Sequence, residues 1–319
     1  MKNFRQPATN QSYSIISTMR LVIQLFIFSL FISANMFGQN PLEGRWDITI
    51  QINGQSKPSW LEVTHSGFKT FVGRFVGISG SARPISKVSV DGDRFQFSIP
   101  PQWEEGNNDL LLEGRLEGNR LNGTIVFPDG QKFTWQGQRA GSITQGNIEG
   151  KKIALITNNI SDHWHADGPN TWRIENGVLR IDKPGANLIT NEKFSNFKLH
   201  VEFRYPSGGN SGVYLRGRHE LQISDSKGKD PSVTEFGAIY GFIAPNKQVA
   251  APANEWQSYD ITLNGRTITV IANGETIICE QEIPGITGGA LDSNEAEPGP
   301  IMLQGDHSAI EYRNITIYH

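Results

Sequence analysis

Between residues 210 and 222, five polar side chains recur at a spacing that an extended chain turns into one surface. The stretch reads Asn210-Ser211-Gly212-Val213-Tyr214-Leu215-Arg216-Gly217-Arg218-His219-Glu220-Leu221-Gln222-Ile223-Ser224-Asp225. Alternate side chains of a strand point to opposite faces. Val213 and Leu215 share one face, as do Leu221 and Ile223, and these four mark the core side. Tyr214, Arg216, Glu220 and Gln222 then lie on the other face, with Asn210 at its entry. A carboxylate, a guanidinium, an amide and a phenol on one open face suit a sugar. Its hydroxyls take bidentate polar partners, and the apolar face of its ring takes an aromatic. A solvated sheet face carries the same mixture of charges, so the pattern alone leaves the two readings level.

Other chemistry-bearing residues are scattered along the chain. Asp306-His307 follows an apolar run ending at Gln304 and could reach the same face; an exposed turn is the plain alternative. Asp225 stands just past a strand end, where site residues and ordinary turn residues are both common, and ranks below Glu220. His163-Trp164-His165 offers a His-x-His pair, although neighbouring histidines of this kind are more often loop residues than ligands. Trp256 shares parity with Asp260 and Tyr259 with Ile261, which makes Tyr259 the core residue of the two. Cys279 is the single cysteine, so an intramolecular disulfide and a Cys-based zinc site are both excluded. It ends an apolar run and reads as a small core or edge residue. In the N-terminal half, Trp46, Trp60, Trp103 and Trp135 either fill a small core or line a sugar surface. Core suits Trp46, and Trp103, beside Pro100-Pro101, is left as a surface contact.

Several motifs in order resemble the signature of the DUF1080 family. The first is Asn210-Ser211-Gly212-Val213-Tyr214-Leu215-Arg216-Gly217 with Glu220-Leu221-Gln222-Ile223-Ser224-Asp225. Gly237-Ala238-Ile239-Tyr240-Gly241 and Asn254-Glu255-Trp256-Gln257-Ser258-Tyr259-Asp260 come next. Gly299-Pro300-Ile301-Met302-Leu303-Gln304 and Arg313-Asn314-Ile315-Thr316-Ile317 close the match, and the earlier Trp172-Arg173-Ile174-Glu175-Asn176-Gly177-Val178-Leu179 also fits. The resemblance covers residues 151–319. It implies a concanavalin A-like jelly-roll sandwich. It also implies exported bacterial proteins that act on 3-keto-glucosides, as 1,2-lyases and as hydratases of the resulting 3-keto-2-hydroxy-glucal. The family often opens with a Phe-Asn-Gly-Lys-like segment before a Gly-Trp. Here Ile156-Thr157-Asn158-Asn159 and Asp162-His163-Trp164 stand in that place, so no ligand role is carried over to them.

The implied chemistry sets its own requirements. A ketone at C3 of a sugar acidifies the hydrogen on C2, and removing that proton gives an enolate that expels the glycosidic oxygen from C1. An ordinary glycosidase instead needs two carboxylates flanking an oxocarbenium-like centre. A lyase needs a base near C2, a group to hold the enolate's charge and an acid for the leaving group. Motif position and parity make Glu220 the expected base, Arg216 or a bound divalent cation the partner of the enolate, and His307 or Tyr240 the acid. Asn210, Tyr214, Gln222, Asp225, Trp256 and Gln304 form the expected substrate-binding set. No other cofactor and no protein metal site is expected. Two alternatives stand beside this reading. One is a non-catalytic glycan-binding module, since such sandwiches also serve lectins. The other is a conventional glycoside hydrolase, with Glu235 or Asp306 as the second carboxylate.

These residues must be positioned by strands, for the chain reads as all-β. The first half shows eight period-two runs, at 45–52, 59–64, 70–76, 84–90, 94–99, 109–116, 120–127 and 132–138. Turns such as Asp91-Gly92-Asp93, Glu117-Gly118-Asn119 and Pro128-Asp129-Gly130 join them. This predicts a small antiparallel up-and-down barrel over residues 40–140, with a two-sheet sandwich as the alternative. Gly44-Arg45-Trp46 resembles the Gly-x-Trp opening of lipocalin-like barrels. Residues 141–150 are small and polar and read as a linker. Runs at 177–181, 197–205, 211–216, 220–224, 257–264, 267–272, 275–280, 300–304 and 310–317 predict a two-sheet sandwich over residues 151–319.

Length allows about two domains. The chain has 319 residues, with 29 Lys+Arg against 32 Asp+Glu, and no basic stripe that would mark a nucleic-acid partner. Met19-Arg20, an apolar run at 21–32 and a small, polar exit through Gln39 read as a secretory signal peptide. The run is shorter than the roughly 20 apolar residues of a membrane span. A secreted or periplasmic protein with no span after cleavage is expected. Met19 is an alternative start, which would make residues 1–18 an over-extension.

Overall fold

Alternation in the first half closes on itself. In the computed structural model, which describes residues 1, 40–67, 69–148 and 150–319, eight antiparallel strands form a closed barrel. They are β1 (Gly44–Ile52), β2 (Gln55–Ser66), β3 (Thr70–Val76), β4 (Arg83–Asp91), β5 (Arg94–Ile99), β6 (Leu110–Glu117), β7 (Arg120–Val126) and β8 (Lys132–Arg139). Each pairs with the next, and β8 returns to β1. The expected signal segment and alternative start fall on residues 2–39, outside the described residues. β2 begins earlier than its alternation suggested. Asn53 and Gly54 both take positive φ, the two-residue turn that places Gln55 directly opposite Ile52.

Trp46, Ile48 and Ile50 on β1 point inward with Leu61, Val63, Phe75, Phe97 and Leu112, all buried. One outward row is buried too. Asp47, Trp60 and Val76 lie side by side across β1, β2 and β3. Parity alone would assign them to water. The second half of the chain covers them: Trp60 and Val76 cluster with Ile286 and Ala290, and Phe242 meets the Trp60 indole edge-on with ring centroids 5.5 Å apart. A Cβ on Gly285 would fall 2.2 Å from the Trp60 ring, so only glycine lets that backbone come so close. Trp60 therefore fills a seam, whereas Trp46 and Trp135 are buried in the barrel itself. Residues 44–319 form one compact unit.

The second half contributes thirteen more strands and one 3-10 turn at Ile160–Asp162. The strands are β9 (Lys152–Ala154), β10 (Trp164–Ala166), β11 (Arg173–Glu175), β12 (Val178–Ile181), β13 (Leu188–Thr190), β14 (Phe197–Arg204) and β15 (Asn210–Leu215). Then follow β16 (His219–Ser224), β17 (Gln257–Asn264), β18 (Thr267–Ala272), β19 (Glu275–Glu282), β20 (Met302–Leu303) and β21 (Ile310–Tyr318). A five-stranded sheet runs β10-β13-β20-β15-β16, and a larger sheet runs β11-β12-β21-β14-β17-β18-β19, with β9 beside β21. The two sheets share one core: Val213, Leu215, Leu221 and Leu303 from the first pack with Leu199, Val201, Phe203, Ile261 and Val270 from the second. Tyr259 is buried in this core, as its parity requires. Cys279 is exposed on β19, an edge strand. Among the described residues, no helix is long and apolar enough to cross a membrane.

Candidate active site

β15 and β16 pair with Tyr214 opposite Glu220 and Gly212 opposite Gln222. Because Val213, Leu215, Leu221 and Ile223 enter the core, Tyr214, Glu220 and Gln222 rise from the outer face of the five-stranded sheet. With Asn210 they line a cavity of about 700 Å³, well inside the roughly 300–1,000 Å³ of small-ligand sites. Its walls are loops. The segment after β16 brings Asp225, Lys229, Glu235 and Tyr240, and the one after β20 brings Gln304, Asp306 and His307. A main-chain bond from Tyr240 N to Glu220 O (3.0 Å) ties the first of these loops to the strand that carries the carboxyl.

Glu220 is the centre of the site. Burial pushes its carboxyl up to about 8; the Tyr214 hydrogen bond and His307 pull it down, and Asp306 pushes it up. The Tyr214 hydroxyl lies 3.0 Å from Glu220 Oε2 and 2.9 Å from the Gly288 carbonyl. It has one hydrogen to give, and an ionised Glu220 is the stronger acceptor. Burial, then the neighbouring Glu220 charge, holds the Tyr214 phenol well above its usual range, so it stays a donor. Turned so that its nitrogen faces acceptors, the Gln222 amide donates to Glu220 Oε1 and to Ser211 O, both at 3.1 Å. Both carboxyl oxygens are thus held from the floor. Gly212 makes the room: a Cβ there would sit 2.6 Å from Glu220 Oε1.

Around this carboxyl stand three proton carriers. His307 Nδ1 and Asp306 Oδ1 are 2.5 Å apart. The hydrogen bond to Asp306 raises the imidazole, and the same bond lowers the Asp306 carboxyl. Burial, with the Glu220 charge second, raises the Tyr240 phenol. Asp225 accepts from Gly208 N (2.9 Å) at the rim. Gln304 lines the cavity beside Gly212, and its buried side-chain oxygen has no protein partner. Glu235 takes the Ser226 hydroxyl and Lys229 Nζ (3.0 Å).

Two expected site residues lie elsewhere. Arg216 does not line the cavity. β15 ends at Leu215, Arg216 takes φ +53, and the parity that aligned it with Tyr214 is lost there. Its buried guanidinium donates instead to Ser195 O (2.7 Å) and Gly265 O. Trp256 precedes β17, and Arg204 and Arg313 stack on its ring at 4.8 and 4.0 Å, away from the cavity. His163 and His165 bond Glu192 and Asn191, also outside it. Among the described residues, no three His, Cys, Asp or Glu side chains gather into a metal-holding group.

Some of the wall escaped sequence reasoning. Lys229 and Asn187 sit in loops without periodicity. Ser79, Gly80 and Trp103 reach the cavity from the barrel. Only the exposure of Trp103 beside two prolines hinted at that contribution.

Residues 151–318, more than half of the chain, match the 3-keto-alpha-glucoside-1,2-lyase-like domain. The chain belongs to that family. A 3-keto-disaccharide hydrolase of Bacteroides thetaiotaomicron is 25% identical over 166 residues, covering 40% of this chain and 57% of the relative. The chain thus spans little more than half the length of that curated relative. Two crystal structures of proposed glycosyl hydrolases from Parabacteroides distasonis are each 26% identical. One covers 56% of this chain and 89% of its own, with a TM-score of 0.45. The other covers 52% and 98%, with a TM-score of 0.42. The match to the 3-keto-alpha-glucoside-1,2-lyase-like family begins at residue 151, so the barrel residues in the cavity wall come from outside it.

Proposed function

We propose that this protein is exported, and that it cleaves 3-keto-glucosides by 1,2-elimination and hydrates the 3-keto-2-hydroxy-glucal formed, on a sandwich of the concanavalin A-like jelly-roll type. The observation that carries the reading is a single buried carboxyl, Glu220, held by Tyr214 and Gln222 at the floor of a polar cavity and poised near neutrality. A base that strong at neutral pH suits a proton on carbon next to a ketone.

In the proposed cycle the Glu220 carboxylate takes the C2 proton, and the C2–H electrons form the C2=C3 enolate. The His307 imidazolium, kept charged by Asp306, faces the enolate oxygen in place of Arg216. The enolate re-forms the C3 ketone, its electrons make the C1=C2 bond, and the C1–O bond breaks. Tyr240 gives its proton to the departing oxygen. Hydration reverses the polarity: the Tyr240 phenolate takes back a proton from water as the water oxygen adds to C1, and protonated Glu220 returns a hydrogen to C2. The net result is hydrolysis, in accord with the name borne by the Bacteroides thetaiotaomicron relative.

The test is to incubate the protein with a chromogenic 3-keto-glucoside and with the unoxidised glucoside, each with and without a chelator. Release from the keto sugar alone is expected. Loss of release with chelator would move the enolate from His307 to a bound cation. Release from the plain glucoside would overturn elimination in favour of ordinary glycoside hydrolysis, and release from neither would leave a glycan-binding module as the better reading.

A further inference from the structure

Trp103 is the most exposed aromatic side chain among the described residues, at 68%, whereas Trp46, Trp60 and Trp135 are buried. The main chain that carries it is nonetheless tied down by polar contacts, and one edge of the indole lies against Gly80, where a Cβ would fall 2.9 Å from Trp103 Cδ1. The Glu104 carboxylate accepts from Gln102 N (2.9 Å) and Trp103 N (3.2 Å), and Arg83 clamps it from behind at 2.6 Å. Arg83 also donates to Pro100 O (2.9 Å). Gln102 bonds Ser81 twice, through Ser81 N (3.0 Å) and Ser81 Oγ (2.8 Å), which joins this loop to the one carrying Ser79 and Gly80. That second loop lies hard against the sandwich: a Cβ on Gly288 would fall 2.3 Å from Gly80 O, and one on Gly241 would fall 2.6 Å from Ser81 Cβ. Gly288 is the residue whose carbonyl meets the Tyr214 hydroxyl. The barrel thus fixes an exposed indole into the wall of the cavity whose floor carries Glu220.

We infer that Trp103 is a stacking platform for the second sugar ring of the substrate, on the leaving-group side, so that the barrel supplies a subsite for the aglycone hexose. A pyranose has an apolar C–H face rimmed by hydroxyls. It fits an aromatic plane set among amides and carboxylates better than a wholly apolar or wholly charged ligand does. The cavity of about 700 Å³ is more than twice the roughly 300 Å³ lower bound of ligand sites, which leaves room for a second ring. Because the main chain under the indole is already tied to Glu104 and Arg83, stacking requires ordering of the side chain alone. The inference rests on the elimination reading only for the identity of the ring held at Glu220.

The experiment compares kcat/KM for 3-keto-glucosyl-glucose and for methyl 3-keto-glucoside in the full chain, as wild type, Trp103→Ala and Trp103→Phe. Trp103→Ala is expected to lower the disaccharide-to-methyl ratio by about five- to tenfold, the size of one aromatic contact, through KM, and Trp103→Phe to restore most of it. An unchanged ratio, or a loss confined to kcat, overturns the platform. If the wild type turns over neither compound, the elimination reading falls and calorimetric binding of the two sugars to Glu220→Gln decides. A disaccharide preference abolished by adding Trp103→Ala supports the platform; equal affinities, or no binding, overturn it.

Discussion

Removing one oxygen, in Tyr214→Phe, should move the acid limb of the pH profile and do little else to the chemistry. The Tyr214 hydroxyl is the group at Glu220 Oε2, 3.0 Å away in a buried setting, and the ring itself is packed between Ile189 and Met302. A hydrogen bond to a charged group is worth roughly 1.5–3 kcal/mol, and one pKa unit is about 1.36 kcal/mol. Glu220, already pushed up to about 8, should therefore rise by roughly one to two further units when the donor is lost. The wild-type carboxyl is about one-tenth ionised at neutral pH, and the variant's share falls a further ten- to hundredfold. The assay is kcat/KM on a chromogenic 3-keto-glucoside from about pH 6 to about pH 11, the span that brackets both limbs. The variant should lose about 10- to 100-fold at neutral pH and recover most of it once the pH passes the new limb. A loss of equal size at every pH would refute the reasoning, because Tyr214 would then act on something other than the ionisation of Glu220. A limb that moved down would refute it outright.

Glu220→Gln should lower kcat by about 10²–10⁴-fold, the usual contribution of a positioned base. It should also stabilise the fold at alkaline pH. The folded carboxyl keeps its proton to about 8, whereas its ordinary value is 4.5, so wild-type stability falls as pH rises through that window. Urea melts of the two proteins should diverge upward from acid pH, by at most roughly 5 kcal/mol. Arg216→Met strips hydrogen bonds from two backbone carbonyls and should cost roughly 2–4 kcal/mol in urea melts without moving the pH limb of the remaining activity. A large fall in kcat at unchanged stability would return Arg216 to the chemistry. Tyr240→Phe should slow 3-keto-glycosides with alkyl leaving groups by about 10²-fold or more and spare nitrophenyl ones, which need no acid; equal slowing of both would remove Tyr240 from that role.

Where the backbone is regular, parity picked out the residues on the cavity floor. Tyr214, Glu220 and Gln222 were legible because the buried Val213, Leu215, Leu221 and Ile223 pin both strands. The same rule misplaced Arg216, since alternation stops where φ turns positive, and strand ends leave no mark in a hydrophobic pattern. Trp256 was misread for another reason: a motif names neighbours in sequence, and which of two stacked sheets faces the ligand is decided by tertiary topology. β9, β10, β11 and β13 are three residues each, too short for a period to register. The barrel was legible from its hairpins, yet the burial of Asp47, Trp60 and Val76 was not, because parity assigns an outward row to water whatever later covers it.

That covered row bears on how such a protein can be inherited. An add-on cassette has a polar exterior and can be joined to any host by a linker. This barrel instead meets its neighbour through an indole that only Gly285 lets the facing backbone reach, and through Ile286 and Ala290, which cluster with Trp60 and Val76. A cut at residue 151, where the family match begins, would bare both halves of the seam and remove one wall of the cavity. The barrel and the facing 285–290 segment must therefore fit each other, so the two are expected to be inherited as a unit. A relative that carries the same accessory wall is expected to keep a glycine where Gly285 stands and an apolar residue where Ile286 follows it, both facing the barrel's indole.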